Sequence, residues 1–329
     1  MKYNFLAIGD TAVDEFIKLQ DAEVHCDVEH KNCTISMRWG DKIPFELAVV
    51  VAGVGNAANA AVAASRLGLS SSFISNVGED RPGEETIASF KHEKVDTSYV
   101  KVNAGMVTNH HYVLWFHAER TILIKHENYP YAIPQELEPP KWMYLSSAGE
   151  ASENFHYELA DWLTVHPETK LAFQPGTFQM KMGKDKLKNL YAHTELVACN
   201  KEEAQRILET KETDIKALLT TMRALGPKIV LITDGPAGSY GFDGERMLKV
   251  PMYPDPKPPV DRTGAGDACT STTVAALALG HTLEEAMLWG PINSMSVVQE
   301  IGAQKGLLSE MQLLEWYAKR PADYIAKIL

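Results

Sequence analysis

The sequence is poor in cysteine and has no long apolar segment. Its 329 residues include four cysteines, none in a C-x-x-C pair, so we expect reduced thiols and a cytoplasmic protein. No apolar run approaches the roughly 20 residues that a membrane helix needs, so no membrane partner is expected. The N-terminus lacks a charged segment followed by a long apolar stretch, and we therefore expect no signal peptide.

Basic residues are fewer than acidic ones. The chain has 32 lysines and arginines against 43 aspartates and glutamates, a net charge of −11, which argues against a nucleic-acid partner. No Walker A sequence is present, so a P-loop mechanism is not expected. His25, Cys26, His30 and Cys33 lie close together, but their spacing matches no standard zinc pattern, and alternating strand residues are the favoured interpretation.

The stretch 258–269 contains a glycine turn that leads into a helix. Four prolines between residues 254 and 259 argue against a helix before the turn, whereas small and β-branched residues continue from Asp267 to Gly280, an expected C-cap. Gly264, Ala265 and Gly266 would then form a tight turn at a helix N-terminus. The unpaired N–H groups and the positive dipole end there attract anions, and glycines let a ligand come close.

The carboxylate of Asp267 directly follows this turn, and two explanations of it remain open. In the first, Asp267 caps the helix. In the second, a phosphoryl group in transit sits on the N–H groups of the turn, and Asp267 takes the proton from the hydroxyl that attacks it.

A second glycine turn, Gly53-x-Gly55-x-x-Ala58, leads into an alanine-rich helix. The spacing fits the dinucleotide-binding fingerprint, and Glu79 lies at about the distance of a ribose-binding acid, so an NAD-dependent oxidoreductase is an alternative from another enzyme class. This alternative leaves residues 258–267 unexplained. The fingerprint also usually opens a domain, whereas about 50 residues precede this one.

The remaining pattern predicts an α/β fold. Tyr3–Gly9 is an apolar first strand, and Asp10 and Asp14 follow at its carboxyl end, where open α/β sheets bind ligands. From Trp142 onward, strands alternate with helices, which is typical of a parallel sheet with crossover helices.

Other segments are expected to lie outside the regular alternation. Residues 15–48 and the hairpin 106–126 have strand patterns, and we expect them to form a small separate sheet. A helix is predicted over 184–191, and the segment 310–329 is amphipathic and predicted to pack on the large sheet.

In their order along the chain, these motifs resemble the signatures of the PfkB (ribokinase-like) family of carbohydrate kinases. The stretches that carry the resemblance are Gly9–Asp14, Gly55–Asp80, Asn200–Glu203, Thr233–Gly238, Asp261–Asp267 and Gly302–Gln304. Each motif alone is ambiguous, and Asn200 with Glu203 also fits a capping box at a helix start. Together they span nearly the whole chain.

The resemblance implies one kinase domain over residues 1–329. The expected fold is a three-layer α/β/α, Rossmann-like, mostly parallel sheet, with a small β-sheet lid formed by insertions at about 12–48 and 100–128. The expected reaction transfers the γ-phosphate of ATP, with Mg²⁺, onto a primary hydroxyl of a small sugar. Some members also hold K⁺, and the lid often pairs two subunits, so a homodimer is expected.

The resemblance also implies a role for individual residues. Asp267 is the expected base, the turn Gly264–Gly266 with Ala265 is the anion hole, and Asp261 is a candidate ligand of a monovalent cation. Residues expected to bind the acceptor are Asp14, Gly55 and Asn59. Residues expected on the ATP and Mg²⁺ side, with Glu203 holding the metal through a water, are Asn200, Glu203, Thr233, Gly235, Gly238 and Asn293.

Four positions bear on the acceptor or depart from the family pattern. Val54 stands where many members have a glycine, Gln174 where many have an asparagine, and Arg262 lies inside the stretch Asp261–Asp267. Asn56, where some phosphosugar kinases have a lysine, favours an unphosphorylated acceptor. A nucleoside kinase of the same family is the alternative to a sugar kinase.

Overall fold

The computed structural model describes residues 2–27, 33–117 and 119–329. Within these ranges the strands are β1 (Phe5–Ile8), β2 (Ala12–Leu19), β3 (Glu23–His25), β4 (Thr34–Ser36), β5 (Phe45–Val54), β6 (Ser71–Gly78), β7 (Val100–Asn103), β8 (His110–Phe116), β9 (Glu119–Lys125), β10 (Trp142–Leu145), β11 (Lys170–Phe173), β12 (Thr194–Asn200), β13 (Ile229–Thr233), β14 (Ser239–Phe242), β15 (Met247–Val250) and β16 (Lys327–Ile328).

The α-helices of the same ranges connect these strands. They are α1 (Asn56–Arg66), α2 (Arg81–His92), α3 (Glu153–Val165), α4 (Thr177–Met182), α5 (Lys188–Ala192), α6 (Lys201–Leu208), α7 (Ile215–Arg223), α8 (Ala265–Leu279), α9 (Leu283–Val297) and α10 (Glu310–Ala318). None of these helices combines the length and the apolar composition that a membrane crossing requires.

One large sheet organises the molecule. Its spatial order is β16-β15-β14-β13-β12-β11-β10-β1-β6-β7. The pairs from β7 to β13 are parallel, as expected for strands joined by crossover helices, and β14, β15 and β16 extend the sheet in antiparallel pairs.

Both faces of this sheet are buried under helices. Along β1, Phe5 and Ala7 join a cluster that includes α1, α8 and α9, whereas Leu6 and Ile8 join a second cluster with α3, α6 and α7. Successive residues of a strand point to opposite faces, and here both faces are apolar, which explains the continuous apolar runs in the sequence. The predicted three-layer α/β/α fold is confirmed.

A second, smaller sheet has the order β5-β2-β8-β9. It draws on both segments that have a strand pattern in the sequence, because β2 pairs with β5 on one side and with β8 on the other. Strands β8 and β9 form an antiparallel hairpin. We refer to this four-stranded sheet as the lid sheet; its role as a lid stays a prediction.

Two predicted segments differ in detail from the structure. The helix predicted over 184–191 begins later than expected: residues 184–187 form a turn after Gly183, and the helix there is α5 (Lys188–Ala192). The C-terminal segment packs on the large sheet as predicted, with Leu313 and Tyr324 in the core. It is helical to Ala318, and its last residues form β16 at the edge of the sheet, where Lys327 pairs with Lys249.

The cysteines differ from the prediction of four reduced thiols. Because His25 pairs with Thr34 in the β3–β4 hairpin, the adjacent Cys26 and Cys33 come together, and they form a disulfide. His30 of the zinc alternative lies outside the described residues, and within those residues no group of three or more acidic, histidine or cysteine side chains is arranged to hold a metal ion. The cytoplasmic location stays a prediction.

Candidate active site

Helix α8 begins directly after a glycine in the left-handed conformation. Gly264, the N-cap, has φ +76° and ψ 2°. A Cβ on this residue would lie 2.3 Å from the Cβ of Ala303, so both the backbone angle and the close approach require glycine. Asp267 is the third residue of the helix and makes no capping hydrogen bond. The explanation of Asp267 as the helix cap is therefore wrong.

The carboxylate of Asp261 fixes this turn. Its Oδ1 accepts hydrogen bonds from the backbone N–H (2.9 Å) and the hydroxyl (2.7 Å) of Thr263, and its Oδ2 accepts one from the N–H of Gly302 (2.9 Å). Arg120 of the lid sheet lies 3.4 Å from Oδ1. The turn and the loop at Gly302 are thus held by one side chain, and the K⁺ ion predicted near it stays a prediction.

Asp267 is held between two side-chain amides. Asn59 of α1 donates to Oδ2 (2.9 Å), and Gln174, just after β11, donates to Oδ1 (3.0 Å). Each amide is oriented in turn, Asn59 by Gln304 (3.0 Å) and Gln174 by the hydroxyl of Tyr144. Desolvation by the surrounding protein raises the pKa of Asp267, and the two amide donors partly oppose this effect.

Glu203 approaches the same place from the start of α6. Asn200 and Glu203 form the capping box that the sequence predicts, because each side chain accepts a hydrogen bond of 2.8 Å from the backbone N–H of the other residue. Burial, together with the negative charge of Asp267, raises the pKa of Glu203. A cation would stabilise the ionised form of Glu203 beside the negative charge of Asp267.

Two cavities meet at the N-terminus of α8. The first, of about 260 Å³, is lined by Thr233, Gly235 and Gly238 and by the apolar side chains of the α9 region. The second, of about 190 Å³, is lined by Asn200, Glu203, Asp267 and the whole turn. Thr233, Arg262, Ala265 and Gly266 line both cavities. An elongated ligand that fills both would pass over the first turn of the helix.

Asn293 lies outside these cavities. Its side chain is 0% exposed, donates to the hydroxyl of Thr272 (2.8 Å) and accepts from the backbone N–H of Leu308 (2.8 Å). Both ends of the amide are thus occupied inside the protein, so Asn293 joins α8, α9 and the chain after α9. Its predicted place on the ATP side is not supported by its position.

The residues predicted to bind the acceptor lie next to this site. Gly55 has φ +128°, and a Cβ there would be 2.7 Å from the carbonyl oxygen of Asp10, so the chain after β1 packs directly on the turn before α1. Asp14, which is 8% exposed, bonds to His111 at 3.0 Å. Asn59 donates a hydrogen bond to Asp267 and therefore connects the turn before α1 with the start of α8.

A chain of hydrogen bonds joins the two acids that follow β1. His111 bonds to Asp14 through Nδ1, its Nε2 lies 3.1 Å from Nε2 of His126, and Nδ1 of His126 lies 3.1 Å from Oδ2 of Asp10. Tyr131 donates to the other oxygen of Asp10. An ionised carboxylate only accepts, so this arrangement suits N–H groups on both Nδ1 atoms, facing Asp14 and Asp10.

Comparison with known proteins identifies the chain. Residues 48–310 match the model of the pfkB family carbohydrate kinases. The chain belongs to this family. The prediction that the protein is a carbohydrate kinase is therefore confirmed, and the motifs from Gly55 to Gln304 lie within the matched region.

Individual relatives agree with the family. An ATP-dependent 6-phosphofructokinase of Thermoanaerobacterium thermosaccharolyticum is 25% identical over 317 residues, 92% of this chain and 90% of that protein. A nucleoside kinase of Methanocaldococcus jannaschii is 25% identical over 271 residues, 77% of this chain and 81% of that protein. The structure of Arabidopsis thaliana ribokinase complexed with ribose and ATP has a TM-score of 0.79 at 20% identity, covering 96% of this chain and 98% of that chain. The fold is thus ribokinase-like.

The dinucleotide-binding alternative is wrong for this PfkB kinase. That fingerprint needs a parallel strand of the main sheet before the glycine turn, but β5 belongs to the lid sheet and pairs antiparallel with β2. The helix after the turn also carries Asn59, whose amide bonds to Asp267.

No role is assigned from the sequence to several residues that the structure places in the site. Gln174 and Gln304 orient Asp267 and Asn59, and Arg120 enters the second cavity from the lid sheet. Gln174 stands out in the sequence only as a departure from the family pattern. His126 and Tyr131 follow β9 in an irregular segment, where no periodicity indicates which side chains face Asp10.

Proposed function

We propose that this kinase transfers the γ-phosphate of ATP onto a primary hydroxyl of a small sugar, with Asp267 as the general base. The observation that carries the proposal is the meeting of two cavities at the N-terminus of α8, with Asp267 in the second. A nucleotide in the first cavity would have its phosphates over the N–H groups of Gly264–Gly266. Asp267 would then face the acceptor hydroxyl beside the phosphate that moves.

The first cavity fits the nucleoside part of ATP. Thr233, Gly235 and Gly238 line this cavity, and Arg262 lines both cavities, where a guanidinium suits a phosphate. Ser239 also lines this cavity, and its buried hydroxyl has no hydrogen-bond partner within the described ranges. A buried hydroxyl without a partner is costly, and a ligand would remove that cost.

Mg²⁺ is the cation that we propose for the carboxylate side. Glu203 lines the second cavity, and its charge is disfavoured by burial and by Asp267. Carboxylate oxygens and metal-bound waters are what Mg²⁺ prefers, so Glu203 and Asn200 would hold the ion through water. Bound Mg²⁺ neutralises charge on the phosphates.

The acceptor would lie between Asp14, Gly55 and Asn59, under the lid sheet. Carboxylates suit neighbouring hydroxyls because each accepts two hydrogen bonds, and Asp10 and Asp14 both lie at this position. Asn56, which lines the second cavity, is neutral and therefore favours an acceptor without a phosphate. A nucleoside acceptor is the alternative, supported by the similarity to a nucleoside kinase.

A coupled assay of ADP release tests the proposal and names the acceptor. Purified protein with Mg-ATP is offered a panel of sugars, sugar phosphates and nucleosides. We expect ADP release that depends on one acceptor class, that stops when Mg²⁺ is omitted, and that is accompanied by a phosphorylated product in mass spectrometry. ADP release at the same rate without any acceptor would contradict the proposal.

The pH dependence of this activity should report on the amide next to Asp267. In Gln174→Met the donor to Asp267 is lost, which removes an effect that lowers the pKa of Asp267. The base must be ionised to act, so we expect the acid limb of the kcat–pH profile to move to higher pH. The substitution also leaves the hydroxyl of Tyr144, which is 0% exposed, without its partner, at a cost of about 1–3 kcal/mol of unfolding free energy.

A double variant separates these two effects. Gln174→Met combined with Tyr144→Phe removes both polar groups, so thermal stability should recover while the acid limb stays displaced. An acid limb at the wild-type position in both variants would contradict the role of Gln174.

We also propose that the lid sheet pairs two copies of the chain. Its two edge strands are β5 and β9, and edge strands with exposed apolar side chains favour association. The exposed apolar residues of these strands are Phe45, Leu47, Val50, Ile122, Leu123 and Ile124. Sedimentation velocity should therefore give the mass of a dimer, and a monomer at all accessible concentrations would contradict the proposal.

A further inference from the structure

Arg120 is a charged residue of the lid sheet that reaches the second cavity. It lies near the start of β9 and lines that cavity together with the turn 264–266, Glu203 and Asp267. Its side chain is 27% exposed, so it is neither buried in the lid sheet nor free in solvent. The charged residues around the cavity are thus two acids, Glu203 and Asp267, and two arginines, Arg120 and Arg262.

The contact of Arg120 with Asp261 leaves most of its hydrogen-bonding capacity unused. Nη1 lies 3.4 Å from Oδ1 of Asp261, and that oxygen already accepts two shorter bonds from Thr263. Over the described ranges, Asp261 is the one hydrogen-bond partner of the Arg120 guanidinium. A guanidinium has five N–H donors in a planar fork that matches phosphate oxygens. The structure therefore holds a cation with free donors beside the proposed anion hole.

We propose that Arg120 donates hydrogen bonds to the phosphoryl group during transfer. The role rests on the proposed kinase function. In the transfer, the acceptor oxygen forms a bond to the γ-phosphorus, the bond from that phosphorus to the bridging oxygen breaks, and ADP leaves with the bonding electrons. Asp267 receives the hydroxyl proton. Negative charge spreads over the three peripheral oxygens of the moving group, and Arg120 stabilises that charge.

Because Arg120 lies on the lid sheet, the proposed site is complete only in one arrangement of that sheet. The turn 264–266 belongs to the large α/β body, whereas Arg120 belongs to β9. The full set of charges is complete only when the lid sheet lies against α8. Binding of the acceptor under the lid sheet would thus favour transfer to the acceptor over hydrolysis by water.

The test compares Arg120→Gln and Arg120→Lys with a matched control. Arg38→Gln has the same chemistry at another ion-paired arginine of the lid insertion, which is 70% exposed and contacts Asp21 and Asp41. For each variant, kcat and KM are measured, as are the Kd of Mg-ADP and the Kd of the Mg-ADP–aluminium fluoride complex, an analogue of the transferring phosphoryl group.

We expect Arg120→Gln to lower kcat about a hundredfold or more, the size of effect that single charge-stabilising donors have. Its Kd for Mg-ADP should stay within about threefold of wild type, whereas the analogue should bind tens of times more weakly, in line with P-loop enzymes that use an arginine in this way. Arg120→Lys should recover part of both losses, and Arg38→Gln should behave as wild type.

Two results would overturn the role of Arg120. One is equal weakening of Mg-ADP and the analogue in Arg120→Gln, which indicates a purely structural effect through Asp261. The other is a kcat like that of Arg38→Gln. Wild-type protein without acceptor-dependent activity would instead contradict the proposed function, and the comparison of the two Kd values, which needs no acceptor, would still decide the role of Arg120.

Discussion

Replacement of Asp267 by Asn is expected to lower kcat by about 10²–10⁴-fold, the usual contribution of a general base. The amide cannot accept the hydroxyl proton, although it occupies the same space. The fold should persist, because the new amide oxygen can still accept from one of the two donors, Asn59 or Gln174, and the substitution removes a charge that burial disfavours. Steady-state kcat with the acceptor from the panel is the measurement.

Binding measurements separate loss of the base from loss of the site. The Kd of Mg-ATP in Asp267→Asn should stay close to that of wild type, since the turn 264–266 and Thr233 remain in place. Asp161→Asn, an exposed aspartate of α3, is the matched control and should keep full activity. A kcat for Asp267→Asn within a few-fold of this control would show that the base lies elsewhere.

The sequence predicted the parts of the site that have local signals. A glycine turn before a helix predicts an anion site from three or four neighbouring residues, and the structure has Gly264 at positive φ as the N-cap. The capping box of Asn200 and Glu203 is likewise local. The large sheet followed from its apolar runs, because both of its faces are buried.

The parts that the sequence did not predict depend on long-range contacts. Arg120 and Asp261 are separated by 141 positions, and Gln304 and Asn59 by 245. Neither pair has a spacing that a periodic pattern detects. The disulfide was missed for a different reason. Cys26 and Cys33 are only 7 positions apart, but their contact depends on the pairing of two three-residue strands.

Substitution of Gly264, the glycine before α8, should lower both stability and kcat. In Gly264→Ala, a left-handed conformation at a residue with a Cβ costs about 1–2 kcal/mol. The new Cβ would also lie 2.3 Å from the Cβ of Ala303, so the turn must move away from the loop that Asp261 holds. We expect lower thermal stability and a loss of kcat of about 10²–10³-fold, the effect of misplacing oxyanion-type donors.

The same helix supplies the control for backbone strain. Gly280, at the other end of α8, has φ +101°, and a Cβ there would meet no atom within 4 Å. Gly280→Ala should therefore lose stability by about 1–2 kcal/mol through its backbone conformation alone and keep its kcat. Gly266 lines both cavities, and a Cβ there would meet no atom within 4 Å. Gly266→Ala should therefore keep its stability, but the added methyl group should weaken nucleotide binding. If Gly264→Ala lost no more activity than Gly280→Ala, the turn would not act as the anion hole, since strain of the same helix would then account for the whole effect.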